Sequence, residues 1–170
     1  MNPRFLILMV AMLLAVTGAS AQKFEVGGMA GFGGFGAGYT YDNYWVAGAD
    51  VCAFCDHRLA LYGEYAHFGR AGNAASIRSA DLVSFGARLQ AGSARRIRPF
   101  FDAGFSVGRD EFGFFQNLSH TVYGAALGGG ATVRLGSRFY VRPTVRIHAL
   151  GGDGGFHGAI SAGASVGVRF

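Results

Sequence analysis

The chain has 170 residues, about one domain, with 29 Gly, 16 Phe and only 3 Pro; 51% of it is hydrophobic, 15% is charged and the net charge is +5. This composition excludes a disordered chain, and it is too apolar and too poor in charge for an ordinary soluble surface. The mean hydropathy of +0.27 points to a membrane. After residue 21, however, no stretch approaches the roughly 20 apolar residues of a spanning helix, which leaves a β-barrel as the membrane architecture.

The first predicted element is a targeting segment. Arg4 precedes an unbroken apolar run from Phe5 to Val16, and Ala19-Ser20-Ala21 offers small residues at both cleavage subsites. Residues 1–21 therefore read as a cleaved secretory signal peptide and 22–170 as the mature domain. The apolar run is too short to serve as a membrane anchor.

Three candidate strands follow, Phe24 to Phe32, Trp45 to Ala53 and Arg58 to His67, the last with Leu59, Leu61 and Tyr65 on its apolar side. From residue 81 onward five more strands keep a strict period of two. One face runs Val83, Phe85, Leu89, then Ile97, Phe101, Phe105, then Tyr123, Leu127, Leu135, then Phe139, Val145, Ile147, then Ile160, Val166, Phe170, and it carries no charge. The interleaved face holds Arg88, Arg98, Asp102, Arg134, Arg142, Arg146 and Arg169 among Gly and Ser. A period of two with all charge on one face specifies strands.

Three features put the apolar face outward. The charged face is crowded with small residues, as a narrow eight-stranded interior requires. Connections alternate between long ones, after Phe32, Phe68, Val107 and Leu150, and short ones around 52–57, 92–96 and 136–137, the pattern of outer-membrane barrels. Aromatic residues of the apolar face collect at two levels, Phe24, Phe139 and Phe170 at one and Phe32, Trp45, Tyr65 and Tyr123 at the other, forming girdles at the two membrane boundaries. The predicted fold is all-β, an eight-stranded antiparallel up-and-down transmembrane β-barrel. Pro143, in mid-strand, predicts a bulge.

The Gly-rich opening Phe24-Glu25-Val26-Gly27-Gly28, the segment Arg98-Pro99-Phe100-Phe101-Asp102-Ala103-Gly104 and the terminal Val166-Gly167-Val168-Arg169-Phe170 resemble the small outer-membrane β-barrel proteins related to OmpA and OmpX. The resemblance spans the mature chain and implies location in the outer membrane and contact with its lipids; no cofactor is expected. It also implies that Ala164, Val166, Val168 and Phe170 form the signal read by the barrel-assembly machinery.

The inward charges Glu25, Asp50, Arg58, Glu64, Arg88, Arg98, Asp102, Arg134, Arg142, Arg146 and Arg169 are expected to pair across the lumen, because unpaired buried charge is costly. Glu25 is expected to bridge to Arg169 across the closing seam, Asp50 to pair with Arg58, and Asp102 to lie diagonal to Arg88. A plugged interior is the expectation; a conducting pore is the alternative. Arg58, Arg88, Arg98, Arg134 and Arg169, with Arg95, Arg96 and Arg138 in turns, gather eight cations near the periplasmic end. Solvated charge with local pairing is expected there, with an anionic periplasmic ligand as the alternative. Nucleic acid is not an expected partner of an exported chain whose Arg residues point into a barrel.

Cys52 and Cys55 form a Cys-x-x-Cys. In an exported protein the i to i+3 spacing of a β-turn suits a disulfide, whereas zinc would need two more ligands. His67, His120, His148 and His157 fall near the external end with no metal-ligand spacing, and His148 points inward. A lipid A deacylase would need Ser, His and an acid together; Ser119 with His120 and Ser161 with His157 lack a neighbouring acid. The third outer loop, Arg109 to Leu118, with Phe112, Phe114 and Phe115 among charges, suits contact with a surface ligand or partner. The expected role is therefore structural or surface-interacting, with a lipid-modifying enzyme, ligand carrier or narrow pore as the alternative.

Overall fold

The computed structural model describes residues 23–37, 40–71, 77–91, 96–112, 118–152 and 155–170. Residues 1–21, with the signal-peptide expectation, lie outside them, as do Arg95 and residues 113–117 of the third outer loop. Eight strands form one closed antiparallel barrel in chain order: β1 Phe24–Ala37, β2 Thr40–Ala53, β3 Leu59–Arg70, β4 Ile77–Gln90, β5 Ile97–Phe112, β6 Leu118–Leu135, β7 Phe139–Gly152 and β8 Gly155–Arg169. The seam closes where Phe24 and Phe170 exchange backbone hydrogen bonds of 3.3 and 2.9 Å.

Register fixes the barrel's shape. Paired residues lead from Glu25 through Cys52, Tyr62, Gly86, Gly104, Ala126, His148 and Ala159 back to β1 at Phe35, a stagger of ten residues. Eight strands with that shear tilt by about 40° and enclose an interior wide enough only for side chains.

The apolar face predicted from residue 81 onward points outward, with Phe85, Phe101, Leu127, Ile147 and Val166 all exposed. From Ile97 to Phe105 or from Phe139 to Ile147 this coat spans the 9–11 residues that carry a tilted strand across a bilayer.

The first three strands and the long connections differ from expectation. β1 runs on to Ala37, β2 begins at Thr40 and β3 begins at Leu59 and continues to Arg70, so much of what read as long loop is paired strand. The reason is a reversal of pattern at that end. Beyond the apolar coat Phe35, Tyr44, Val46, Ala66, Phe68, Ile77, Ala80, Leu82, Val122, Leu150 and Ala159 turn inward and form one buried apolar cluster, while Asp81, Arg109 and Glu111 face outward. The strands there follow the ordinary soluble pattern, apolar in and polar out. A register shift between Ile77 and Ser79 on β4 turns Ile77 into that core.

Pro143 makes no bulge. The β6–β7 pairing lapses opposite Arg142 and Pro143 and resumes at Val133 with Val141 in the same register, while Pro143 stays paired with Ala164 on β8. Its missing N–H interrupts one ladder without adding a residue to either strand.

An Arg placed on the lipid face at mid-height is expected to expose this orientation. Leu127→Arg should destabilise the barrel folded in phosphatidylcholine vesicles by about 2–4 kcal/mol, measured by urea unfolding; a cost near zero would mean that this face does not meet hydrocarbon.

Candidate functional site

The inward face of the barrel forms the candidate site, and its middle is an ion-pair network. Arg88 on β4 and Asp102 on β5 are directly opposite, not diagonal, and join through two hydrogen bonds of 2.7 and 2.8 Å. Asp102 also accepts from Arg146 at 2.7 Å, and Arg146 reaches Glu64 at 3.1 Å. A second group centres on Arg142, which donates to both Glu25 and Asp50 and, through Nε, to Thr132 at 3.1 Å.

These pairings correct two expectations. Glu25 does face Arg169 in register, but its partner is Arg142, and Asp50 pairs with the same guanidinium rather than with Arg58. In so narrow a lumen a seven-atom Arg side chain reaches across the axis more readily than along a strand. Arg58 is exposed in the turn before β3 and is no part of the lumen.

Aromatic rings cover the guanidinium faces that carboxylates leave open. Arg88 sits 4.1 Å from the Phe100 ring centroid, Arg146 4.5 Å from Tyr62 and Arg142 4.4 Å from Tyr140. Such stacking suits a planar cation whose edge is engaged by carboxylates. Space is tight: a Cβ at Gly27 would lie 2.5 Å from the Tyr140 hydroxyl and 2.8 Å from an Asp50 oxygen. Gly27 is therefore a packing requirement of the charge network.

Above the charges, Ser84 and Ser106 share a hydrogen bond of 2.7 Å, and Ser106 contacts Nδ1 of His148 at 2.9 Å, which places His148 in a lumenal chain. The apolar cluster described above covers this chain at the loop end.

The opposite end, where the short turns lie, is held by a residue that sequence reasoning missed. The turn after β2 folds over the mouth, and Asp56 meets Lys23 at 2.5 Å, Arg134 at 2.7 Å, Arg98 at 3.5 Å and also Arg169. Arg98 donates to the carbonyls of Cys55 at 2.7 Å and Asp56 at 3.1 Å, and Gln90 donates to Cys55 at 3.1 Å. Cys52 and Cys55 are bonded to each other, both buried, with Cα atoms 5.9 Å apart; Phe54 between them takes a left-handed backbone, φ +60°. The excess of cations on the strands around this mouth was the one available signal that a carboxylate must enter it.

The girdle residues Phe32, Trp45, Tyr65, Tyr123, Phe139 and Phe170 are exposed on the outer wall and Phe24 is half-buried there. At the loop-end boundary Tyr65 donates to Asp81 at 2.5 Å, His67 contacts the same carboxylate at 2.9 Å, and His67 packs on Trp45. Asp110, fully buried, supplies the acid that sequence spacing did not place near the other histidines, lying 3.2 Å from His157 and 3.8 Å from His120. Ser119 is bonded to Arg109 instead, and Ser161 is four residues from His157 along β8, about 13 Å. No Ser–His–acid relay assembles among the described residues. Ala164, Val166 and Val168 alternate outward on β8 above Phe170.

Solved structures share this architecture. The chain superposes on neisserial surface protein A with a TM-score of 0.73 at 13% identity, covering 90% of this chain and 99% of that one. The fold is that of the small outer-membrane barrels. The N-terminal barrel domain of OprF from Pseudomonas aeruginosa matches with a TM-score of 0.63 at 17% identity, over 87% of this chain and 97% of that one. Ail of Yersinia pestis, the attachment invasion locus protein, matches at 0.56 and 19%, over 88% and 97%, and is also known in complex with the heparin analogue sucrose octasulfate. No protein-family model and no curated protein matches the sequence.

Two outcomes follow from these contacts. Asp102→Asn leaves Arg88 and Arg146 buried against a neutral amide and should cost about 3–5 kcal/mol of barrel stability, read from urea unfolding in detergent micelles. At the turn end, burial raises the Asp56 carboxyl, but the Lys23 hydrogen bond and the fields of Arg169, Lys23 and Arg134 outweigh it and hold the group below its ordinary value. A depressed native value makes the stabilisation complete above the unfolded-state value of about 3.9 and lost as pH falls through the native one. Amide exchange at Cys55 and His57, corrected for intrinsic rate, should accelerate below about pH 4, and Asp56→Asn should remove that dependence.

Proposed function

We propose that the chain is an outer-membrane β-barrel with a structural or surface-interacting role, its turn end in the periplasm, its loop end outside and its lumen plugged. The observation that carries this is the filled interior: an apolar cluster at the loop end, paired guanidiniums in the middle and the Asp56 turn across the other mouth. A lumen so filled supports neither a pore nor a ligand carrier, and the scattered Ser and His residues do not support an enzyme. Residues 1–21 direct export, and Ala164, Val166, Val168 and Phe170 present the closing strand to the assembly machinery. The two aromatic girdles mark where the barrel meets the lipid boundaries.

A ligand at the loop end fits the same reading. The sulfated ligand of Ail is not carried over, since the described loop-end cations Arg70, Arg78 and Arg109 are matched by Asp42, Asp81 and Glu111. Residues 109–118 are the segment of this chain best suited to offer a contact surface.

Cell fractionation should place the protein in the outer membrane, with heat-modifiable migration on gels and no steady conductance in planar bilayers. Recovery as a soluble periplasmic protein would overturn the reading, and steady conductance would overturn the plugged lumen. An altered lipid A acyl profile in cells carrying the protein would require catalysis and favour the enzyme instead.

A further inference from the structure

The turn end carries a charge pattern that the lumen network does not absorb. Each strand that leaves this end begins with a cation followed at once by an apolar residue: Lys23-Phe24 at β1, Arg58-Leu59 at β3, Arg96-Ile97 at β5 and Arg138-Phe139 at β7. All four cations are exposed, and Leu59, Ile97 and Phe139 are 61%, 53% and 56% exposed on the lipid-facing wall. The repeat therefore puts one positive charge at the edge of the apolar coat on every second strand.

The backbone holds these residues in place. The Arg58 carbonyl accepts from the Gln90 N–H at 2.8 Å, Arg96 from Arg134 at 2.9 Å, Arg138 from Arg169 at 2.7 Å and Lys23 from Cys55 at 3.2 Å. Each cation is thus tied to an adjacent chain segment at the rim, with the side chains of Arg58, Arg96 and Arg138 exposed to solvent and that of Lys23 turned to Asp56. Among the described residues no salt bridge involves Arg58, Arg96 or Arg138, and Asp56, the acid of this end outside the lumen network, is shared by Lys23, Arg98, Arg134 and Arg169. A long cationic side chain beside an exposed apolar residue lays its stem on hydrocarbon and its head at the level of lipid phosphates.

We propose that Arg58, Arg96 and Arg138 form a collar that holds the phosphate headgroups of anionic phospholipids around the turn end of the barrel. The collar rests on the membrane-barrel reading and names its lipid partner. Charge complementarity selects the occupant. Zwitterionic headgroups place an ammonium beside each phosphate and offset the attraction, whereas phosphatidylglycerol leaves it whole. The loop end lacks such a surplus.

The test uses the full mature chain reconstituted in phosphatidylcholine vesicles with trace spin-labelled phosphatidylglycerol or phosphatidylcholine. At low salt the motionally restricted fraction should show a preference of about fivefold for phosphatidylglycerol, the value of one cation–headgroup contact. The preference should fall towards one as salt approaches 1 M and the screening length shrinks to about 3 Å. The triple variant R58Q/R96Q/R138Q should lose the preference while keeping its heat-modifiable gel shift. The loop-end variant R70Q/R78Q/R109Q should retain it. If the triple variant does not fold, R58Q and R138Q alone should each lower the ratio in part. A wild-type ratio of one, or a ratio unchanged in the turn-end variants, overturns the collar while leaving the barrel reading intact. Failure to insert into any vesicle overturns both.

Discussion

The structure depends on one constraint: in the middle of a barrel too narrow to hydrate them, three guanidiniums must be buried. Arg88, Arg142 and Arg146 are each almost wholly buried, so every one needs carboxylate or ring neighbours within the lumen. An unpaired charge there would cost several kcal/mol. The strand stagger of ten brings together residues that lie far apart in sequence, and the network uses this: Arg142 binds Glu25 from 117 residues away and Asp50 from 92. The same crowding explains why the inward face is so rich in Gly, and why Gly27 has no room for a side chain beside Asp50 and Tyr140. Six of the eight strands supply a carboxylate, guanidinium or stacking ring to this network, so it cross-links the wall as well as filling it.

Much of the fold was legible because alternation is a local signal. Where one face meets hydrocarbon and the other meets charge, as from Val83 to Leu89 and from Ile97 to Phe105, parity alone orients every side chain. It failed where the solvent changed. Above the apolar coat Phe35, Phe68, Ile77 and Leu82 turn inward and Asp81 and Glu111 turn outward, so a pattern that began as apolar-out became apolar-in within a single strand. Read as one pattern, the stretch looked like loop. The barrel is built inside-out in its lower part and like a soluble protein in its upper part, and the bulge at Arg78, beyond the transition on β4, adds Ile77 to the upper core.

The candidate site was legible in membership and illegible in partnership. Ten of its charged residues could be named from face and level alone, because parity fixes the face and position along the strand the level. Which carboxylate meets which guanidinium depends on how far a side chain reaches across the axis, and no sequence spacing encodes that distance. Glu25 and Arg169 are register neighbours, yet Arg169 turns to the mouth and meets Asp56, while Arg142 from inside takes Glu25. Asp56 escaped notice for a related reason: it lies in a turn, and only the closed barrel shows that this turn crosses the mouth. Asp110, likewise, meets His120 through strand pairing and His157 from across the lumen, at a sequence distance that hides both.

The two ends of the barrel solve the problem of closure differently, and the difference carries the functional argument. At the loop end the seal is hydrophobic and needs no specific partner, so the exposed residues beyond it can vary without opening the lumen. At the turn end the seal is electrostatic: one carboxylate draws Lys23, Arg98, Arg134 and Arg169 inward and leaves Arg58, Arg96 and Arg138 outside. Drawing four cations onto one acid keeps the mouth shut but does not neutralise the rim. The remaining positive charge lies at the lipid boundary, where only headgroups or bulk ions can answer it. A barrel whose inside is balanced and whose lower rim is not has placed its charge where an anionic leaflet would meet it.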